Sequence, residues 1–470
     1  MALSHAEQYL LELINRARLD PASEARRFGL DLNSDLASGT ITVDAKEVLA
    51  PDAYLESSAH NHAVWMLTNN SFTHEGSGGS NPGDRMAAAG YDFSGVWTWR
   101  ENLAWVGSTG SVDLEDAILN HHEGLYRSAG HRANTFAEDI REIGIGQVAG
   151  PYFDGSTDFN ASMLTLNFAQ SGPDVFLTGV SYTDSNNDAF YSMGEGSSGL
   201  WFDIGGTRAY AASAGGYGLE TDANSNAFVT VGSGSNVLAT LRVDLGEGSA
   251  KLDVVTESNG DQLLALSKSA ELVSGIADAY LLGSADLELT GNSLANDLIG
   301  NTGDNKLYGL GGNDMLSGGE GADDIFGGDG NDYLTGGGGR DASWGTLLSA
   351  AAGSQSADML SGGNGNDTLM GLSGDDTLDG GAGDDEMTGG GGRDTFIFNG
   401  GSDRVTDFGA YVDTLQLEAA SLGDAEMTVG DVLALGHISD GNAVFNFGDD
   451  ILTLDGIADI NLLANSLIIV

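Results

Sequence analysis

The chain has no cysteine, so neither disulfides nor thiolate metal chemistry is open to it. It has five prolines in 470 residues, none beyond Pro173. Lysine and arginine number 18 against 69 aspartates and glutamates, a net charge of −51. So little positive charge argues against nucleic acid or an anionic membrane as the main partner. No run reaches the roughly 20 apolar residues that a membrane-crossing helix needs. Met1–Asp20 lacks the basic start and unbroken apolar core of an export leader, because Glu7, Glu12 and Arg16 interrupt it. It reads as an amphipathic helix. Ser4 and Glu7 form a capping box, Leu10, Leu13, Ile14 and Ala17 the apolar stripe, and Asp20-Pro21 the stop.

Glycine and carboxylate are what the chain has in excess. The dense part of its 72 glycines falls between Gly291 and Gly401, where 18 acidic residues between 291 and 400 face three basic ones. Asn296, Asn305, Asp314, Asp323, Asp332 and Asp341 stand nine residues apart. Asp358, Asp367, Asp376, Asp385 and Asp394 repeat that period in a second block. Leu307, Leu316, Ile325, Leu334, Leu360, Leu369, Leu378 and Met387 keep phase with them as large apolar residues. Units such as GGDGNDYLT and GGNGNDTLM resemble the glycine-rich nonapeptide of RTX proteins, G-G-x-G-x-D-x-U-x with U apolar.

That resemblance implies a parallel β-roll. Each nonapeptide gives a turn of carbonyls and one carboxylate, suited to Ca2+, and then a short strand with its apolar residue inward. Two nonapeptides make a coil, so turns two repeats apart stack and share calcium. The pairs implied are Asp314/Asp332, Asp323/Asp341, Asp358/Asp376, Asp367/Asp385 and Asp376/Asp394, with Asp376 in two pairs and Asp358 in one. The step from Asp341 to Asp358 is 17 residues, and Gly345–Ala352 (GTLLSAAA) has no Asp, so this stretch is expected to bulge out or split the roll. Asp394–Leu417 resembles the cap that follows RTX repeats. With the apolar C-terminus, it implies a secreted substrate of a type I secretion apparatus with an uncleaved C-terminal signal.

The first 172 residues differ in kind, holding seven of the eight histidines. Helices are expected over Glu7–Arg18, Tyr54–Thr68 and Val112–Tyr126, and strands over Ile143–Val148 and Ala161–Phe168. His62–His74, Pro82–Tyr91, Arg100–Ala104 (RENLA), Ser128–Asn134 (SAGHRAN) and Glu142–Gly146 (EIGIG) together resemble the CAP superfamily in its SCP-like form. The resemblance implies an α-β-α sandwich with a cleft where two His and two Glu can hold a divalent ion. The matching residues are His74, Glu101 and His131, with Glu123 as the second Glu and His122 as its rival. Such a set suits Zn2+ or a similar ion, or else a buried hydrogen-bonded cluster that fixes the fold. Arg100 stands where the family has Gly, and would place a cation beside Glu101. His60, His62 and His121 are expected as helix-surface or core residues. No activated Ser-His-Asp arrangement stands out, so no catalytic residue is firm.

From Asp184, oxygen-bearing side chains fall at loop positions 1, 3, 5, 9 and 12: Asp184, Asn186, Asp188, Ser192 and Glu195, with the Phe190 carbonyl at position 7. That is EF-hand calcium spacing between strands instead of helices, with Ala189 where the sharp turn wants Gly. It resembles calcium loops of prealbumin-like surface modules. The whole is a multidomain α+β chain: a CAP-like domain (1–172), a small β-sandwich (174–257), a connector (258–290), the β-roll (291–408) and a β-rich cap (409–470). Its expected role is secreted and calcium-dependent, with the CAP-like domain engaging an extracellular ligand or surface. The alternatives are a metal-dependent hydrolase using the cleft and a lipid- or sterol-binding protein.

Overall fold

The computed structural model describes residues 3–223, 226–246, 248–337, 357–418 and 427–470. They form two compact units, Met1–Lys268 and Ser269–Val470. The boundary expected at 172–174 therefore falls inside the first unit, and the one expected at 290 falls inside the second.

In the first unit, α1 (His5–Leu19) begins on the Ser4–Glu7 capping box, with both reciprocal bonds made. Asp20 ends it and caps α2 (Pro21–Arg27), which starts on Pro21. A four-stranded sheet follows in the order β1-β3-β4-β2, made of β1 (Ala50–Pro51), β2 (Trp97–Ser108), β3 (Glu142–Phe153) and β4 (Asp158–Ser171). The two long strands expected here are β3 and β4, extended at both ends. Alternation along β4 divides the core between the two faces of the sheet. Leu164, Leu166 and Phe168 join Leu10, Leu13 and Ile14 of α1 and Ile118 of α5 (Leu114–Arg127). Met163 packs instead with Ala63 and Met66 of α3 (Ala53–Thr68). Gly144 and Gly146 let α3 lie close, since a Cβ at either would run into its backbone. Besides α2, two short helices escape the periodicity reading because fewer than three turns give little pattern. They are α4 (Pro82–Ala89), held by an Asn81–Asp84 capping box and left-handed Gly90, and α6 (Ala129–Thr135).

The same unit continues into two sets of four paired strands. One runs β8-β5-β11-β12, from β5 (Val175–Thr183), β8 (Gly216–Thr221), β11 (Ala250–Thr256) and β12 (Gln262–Leu266). The other runs β7-β6-β9-β10, from β6 (Leu200–Ile204), β7 (Thr207–Tyr210), β9 (Ala227–Ser233) and β10 (Asn236–Val243). Phe202 and Tyr217 stack between them with centroids 3.6 Å apart. Strand β12, expected in the connector, pairs antiparallel with β11 and belongs to this sandwich. A buried ion network ties the sandwich to α1. Lys251 Nζ meets Glu12 Oε2 at 2.7 Å and both oxygens of Asp253, while Gln8 donates to Glu12 at 2.7 Å.

The second unit is a roll of two parallel ladders. In one, Leu289, Leu307, Ile325, Leu360, Leu378, Phe396 and Leu415 lie opposite one another in turn. In the other, Leu298, Leu316, Leu334, Leu369 and Met387 do the same. These residues are buried, so one apolar side chain per nonapeptide builds the whole interior. The roll begins earlier than expected: Ala270–Gly275 and Asp278–Leu281 already pair parallel with Glu288–Thr290 and Asp297–Ile299. Asp324–Asp329 pairs directly with Met359–Asn364, and Tyr333–Gly337 with Thr368–Ser373. The roll is therefore not split at the irregular repeat. Its register instead steps by 35 residues there, from Ile325 to Leu360. Asp341 and the segment 345–352 lie outside the described residues. The tail extends both ladders through Asp450–Leu454 and Leu467–Ile469. It adds an antiparallel hairpin and a helix, Val429–Leu435, in a region expected to hold only strands and turns.

Candidate functional sites

In the roll the repeat aspartates form two columns. The amide of Asp314 donates to Asp332 Oδ1 at 2.8 Å, that of Asp332 to Asp367 at 2.6 Å, and that of Asp367 to Asp385 at 2.8 Å. In the second column Asp323 donates to Asp358 at 2.8 Å, Asp358 to Asp376 at 2.8 Å and Asp376 to Asp394 at 3.0 Å. Four of the five expected pairs are neighbours in these columns. Asp323 meets Asp358, because the register step brings the later repeat under it; Asp341 lies outside the described residues. Asp358 thus has neighbours on both sides, and the expected contrast with Asp376 disappears. Sequence reading also stopped one period early: Asp403, nine residues after Asp394, accepts from the Asp385 amide at 3.1 Å.

Each column uses only one oxygen of each carboxylate. The Oδ2 atoms of Asp314, Asp323, Asp332, Asp367, Asp376, Asp385 and Asp403 are buried and without a hydrogen-bond partner. Those of Asp314, Asp323, Asp332, Asp367 and Asp376 border the empty side of a glycine in their own turn and a glycine carbonyl of the next coil, and that of Asp385 borders Gly380. A Cβ on Gly327 would strike Asp332 Oδ2 and the Gly362 carbonyl, and one on Gly362 would strike Asp367 Oδ2 and the Gly380 carbonyl. Burial, with the adjacent carboxylates adding to it, pushes Asp314 and Asp376 up to about 6, Asp367 to about 7, and Asp323 and Asp403 to about 8. Orphaned carboxylate oxygens facing carbonyls fit a hard, oxygen-seeking cation such as Ca2+, held by Asp side chains and glycine carbonyls.

The first repeats differ. Asn296 and Asn305 fill the Asp place, and their Nδ2 groups donate to the Ala277 carbonyl at 2.8 Å and to Asn301 Oδ1 at 3.1 Å. Their Oδ1 atoms, beside Gly291 and Gly300 as the Asp Oδ2 atoms are beside glycines elsewhere, accept from the amides of Asn292 at 2.8 Å and Asn301 at 2.6 Å.

The loop from Asp184 to Glu195 is wound around its carboxylates. Asp184 is buried and accepts from the amides of Asp188 at 3.2 Å and Ala189 at 2.9 Å. Glu195 accepts from the amides of Ser185 at 3.0 Å and Ser192 at 2.8 Å. Asn186 donates to Asp188 at 3.0 Å and Ser192 at 3.3 Å. Ala189 sits at φ 56°, the strain anticipated where Gly is usual. Phe190 leaves the loop to pack near Tyr9 and under Arg16 of α1.

In the CAP-like cleft the four expected residues are not gathered. His74 Nδ1 and Glu101 Oε1 lie 2.8 Å apart, and since a carboxylate only accepts, Nδ1 carries the proton. Burial pushes Glu101 upward against the opposing pull of Arg85 and His74. Burial, then the nearby His74, lowers His131. Glu123 instead is an exposed helix residue paired with Arg127 at 2.7 Å. Its rival His122 is buried against Glu24 at 2.7 Å, and His121 against Ser162 at 3.0 Å. His62 is buried in the core, where desolvation lowers it to about 4. Arg100 does not approach Glu101; it pairs with Asp139 at 2.7 Å, and the cation on Glu101 is Arg85. Among the described residues no group of three or more His, Asp or Glu is placed to hold a metal ion, so the zinc expectation is not supported. A 280 Å³ pocket beside the cleft is lined by Ser58, Asn61, His62, Trp65, Ser77, Ser80, Arg85, Ala88 and Ala89.

Comparison with known families places the cysteine-rich secretory protein (CAP) family over residues 11–163. The RTX calcium-binding nonapeptide repeat matches four times, at 290–325, 309–343, 361–396 and 370–405. Among solved structures the chain is similar to an extracellular protein containing a SCP domain from Bacillus anthracis, at 24% identity over 27% of this chain and 35% of that one, TM-score 0.21. It is also similar to an outer surface protein of Borrelia burgdorferi, at 19% identity over 36% of this chain and 96% of that one, TM-score 0.23. A third is the extracellular lipase LipA from Serratia marcescens, at 21% identity over 42% of this chain and 40% of that one, TM-score 0.21. The chain thus spans about a third of the Bacillus protein. No curated protein matches it.

Proposed function

We propose that this chain, which carries a CAP domain and RTX calcium-binding repeats, is a secreted protein whose CAP domain engages an extracellular ligand or surface and whose roll folds when it meets calcium. The observation that carries the reading is the row of buried, partnerless Asp Oδ2 atoms beside glycine carbonyls. Calcium bound there would turn stacked carboxylates from mutual repulsion to shared attraction, so binding energy becomes folding energy. The same dependence suits export by a type I apparatus: a chain unfolded in a calcium-poor cytoplasm can be threaded and then folds outside. The ligands are the column aspartates from Asp314 to Asp394, together with Asp403. The loop Asp184, Asn186, Asp188, Phe190, Ser192 and Glu195 is a further calcium site in this reading.

The metal-dependent hydrolase reading draws no support from a cleft in which Glu123 is turned to Arg127. The test is circular dichroism of the full chain against free calcium, alongside pull-down from extracellular matrix or cell-surface fractions with and without residues 11–163. A roll folded in chelator at neutral pH would remove the calcium switch. Equal retention without the CAP domain would remove its role in binding.

A further inference from the structure

Both oxygens of the Glu101 carboxylate are engaged. Its Oε1 faces His74 Nδ1 at 2.8 Å, and its Oε2 takes Arg85 Nη2. Asn167, with its amide nitrogen turned toward Glu101, adds a donor at 3.2 Å to Oε2. Arg85 is itself fixed: its Nη1 donates to the His74 carbonyl at 2.8 Å and to the Ser80 carbonyl at 3.0 Å. One guanidinium therefore holds the backbone of His74 and the side chain of Glu101 together, and only 12% of its side chain is exposed.

A divalent ion approaching Glu101 meets a charge already neutralised and a cation that cannot leave cheaply. Displacing Arg85 strips it of three acceptors inside a largely buried site, and an arginine cannot give up its proton to ease the repulsion. Among the described residues no second carboxylate joins the site: Glu123, the one expected, pairs with Arg127 on α5. What remains is two imidazoles, His74 and His131, without a free anionic ligand between them.

We infer that Arg85 is a built-in counter-cation that occupies the electrostatic place of a metal ion and makes the CAP cleft metal-independent. It is a positioning residue. It fixes Glu101, which fixes the His74 tautomer with the proton on Nδ1, and so leaves Nε2 as the acceptor on an imidazole whose side chain is 57% exposed. The cleft then offers an incoming molecule an oriented, exposed imidazole instead of a Lewis acid. This stands on the cleft alone, and holds whether or not the roll is a calcium switch.

The test uses the full chain saturated with calcium, so that the roll and the loop are occupied, and cobalt(II) as the probe, because imidazole ligation gives it a distinctive visible absorption. Wild type should show no cobalt band that His74→Ala removes. Arg85→Gln, which keeps the shape of a polar side chain but frees Glu101, should gain a band with at least tenfold tighter binding, and Arg85→Gln/His74→Ala should lose it. Arg85→Lys, which keeps the charge and loses the fork, should gain nothing; a purely structural role for Arg85 would not separate Lys from Gln in this way. A His74-dependent band in wild type overturns the inference, and so does a folded Arg85→Gln chain without any gain. Should Arg85→Gln not fold, the comparison of wild type with His74→Ala still decides.

Discussion

The two units bury carboxylates in opposite ways. In the first, Glu12, Glu24 and Glu101 are buried against cations built into the sequence, Lys251, Arg16 with His122, and Arg85, while the loop carboxylates Asp184 and Glu195 are held by backbone amides. Burial alone would raise Glu24, but the His122 hydrogen bond and Arg16 overcome it and hold the group down to about 2. In the roll the buried aspartates face only amides, carbonyls and one another, and the same desolvation lifts them well above the ordinary carboxylate range. A unit that carries its own counter-charges is complete as synthesised. A unit that does not must take them from solution, and becomes a reporter of what the solution contains.

The sharpest way to break this contrast is chelation at neutral pH. Hydrogen exchange should show the roll, from Lys306 to Val405, losing its protection entirely, while α1, α3 and the strands of the first unit keep theirs. Loss in both units together would mean that they share one source of stability. The roll strands and the first unit can be read separately in one experiment by mass spectrometry of peptides.

Acid should stand in for calcium. The roll aspartates have folded values raised to about 6 to 8 over an ordinary aspartate near 3.9. A raised folded value means that the stabilisation is fully present below the unfolded pKa and is lost as pH rises through the folded ones. In chelator the roll should therefore be ordered near pH 4 and unfold between about pH 6 and 8. Within the first unit Glu24 works the other way: held down to about 2, it contributes stability above its unfolded pKa that fades as pH falls toward 2. Circular dichroism in chelator across pH checks both signs, and a roll more ordered at pH 8 than at pH 4 would refute the account.

Lys251→Met should convert part of the first unit to the condition of the roll, by leaving Glu12 and Asp253 buried without a cation. Removing one partner of a buried pair typically costs about 3–5 kcal/mol. That loss should appear in the urea transition of the first unit, measured in calcium, with the roll transition unmoved. Because Lys251 lies in β11 and Glu12 in α1, it would also show that residues 1–172 lean on the sandwich for stability.

Asn305→Asp makes the reverse change. It replaces an amide that satisfies its own coil with a carboxylate that cannot, so the first coils should become calcium-dependent and the calcium midpoint of the roll should rise about twofold or more, a shift of about 0.4 kcal/mol or more per site. The smallest effect is expected at Glu123. Its exposed pair with Arg127 is of the kind worth about 0.3–0.5 kcal/mol, and Glu123→Ala should change neither metal uptake nor stability beyond that.

Much of this architecture was legible in the residues. The nine-residue period and its in-phase leucines name the roll, because every coil repeats one local rule and needs only its neighbours. The Ser4–Glu7 capping box and the strand-flanked loop at Asp184 are likewise local, and the chain adopts them where they were expected. The failures are contacts between distant segments. Glu123 was paired with His74 and His131 because it is an acid at a family-like spacing, yet helix phase turns it to Arg127 four residues away. Arg100 adjoins Glu101 in sequence, but adjacent residues on a strand point to opposite faces, so it reaches Asp139 while Arg85 arrives from another helix.

The sequence by itself determined the type of each part: a histidine-bearing helical and stranded region, a glycine-aspartate roll, and an excess of carboxylate that demands cations. Only the tertiary structure decided where those cations come from. Repeat spacing predicts which aspartates stack while the period is unbroken, but a 35-residue step in register makes Asp358 the neighbour of Asp323. No spacing predicts that Lys251 would close on Glu12 or Arg85 on Glu101, because those pairs are made by packing one element against another. The charge on a buried acid is settled by what is packed against it.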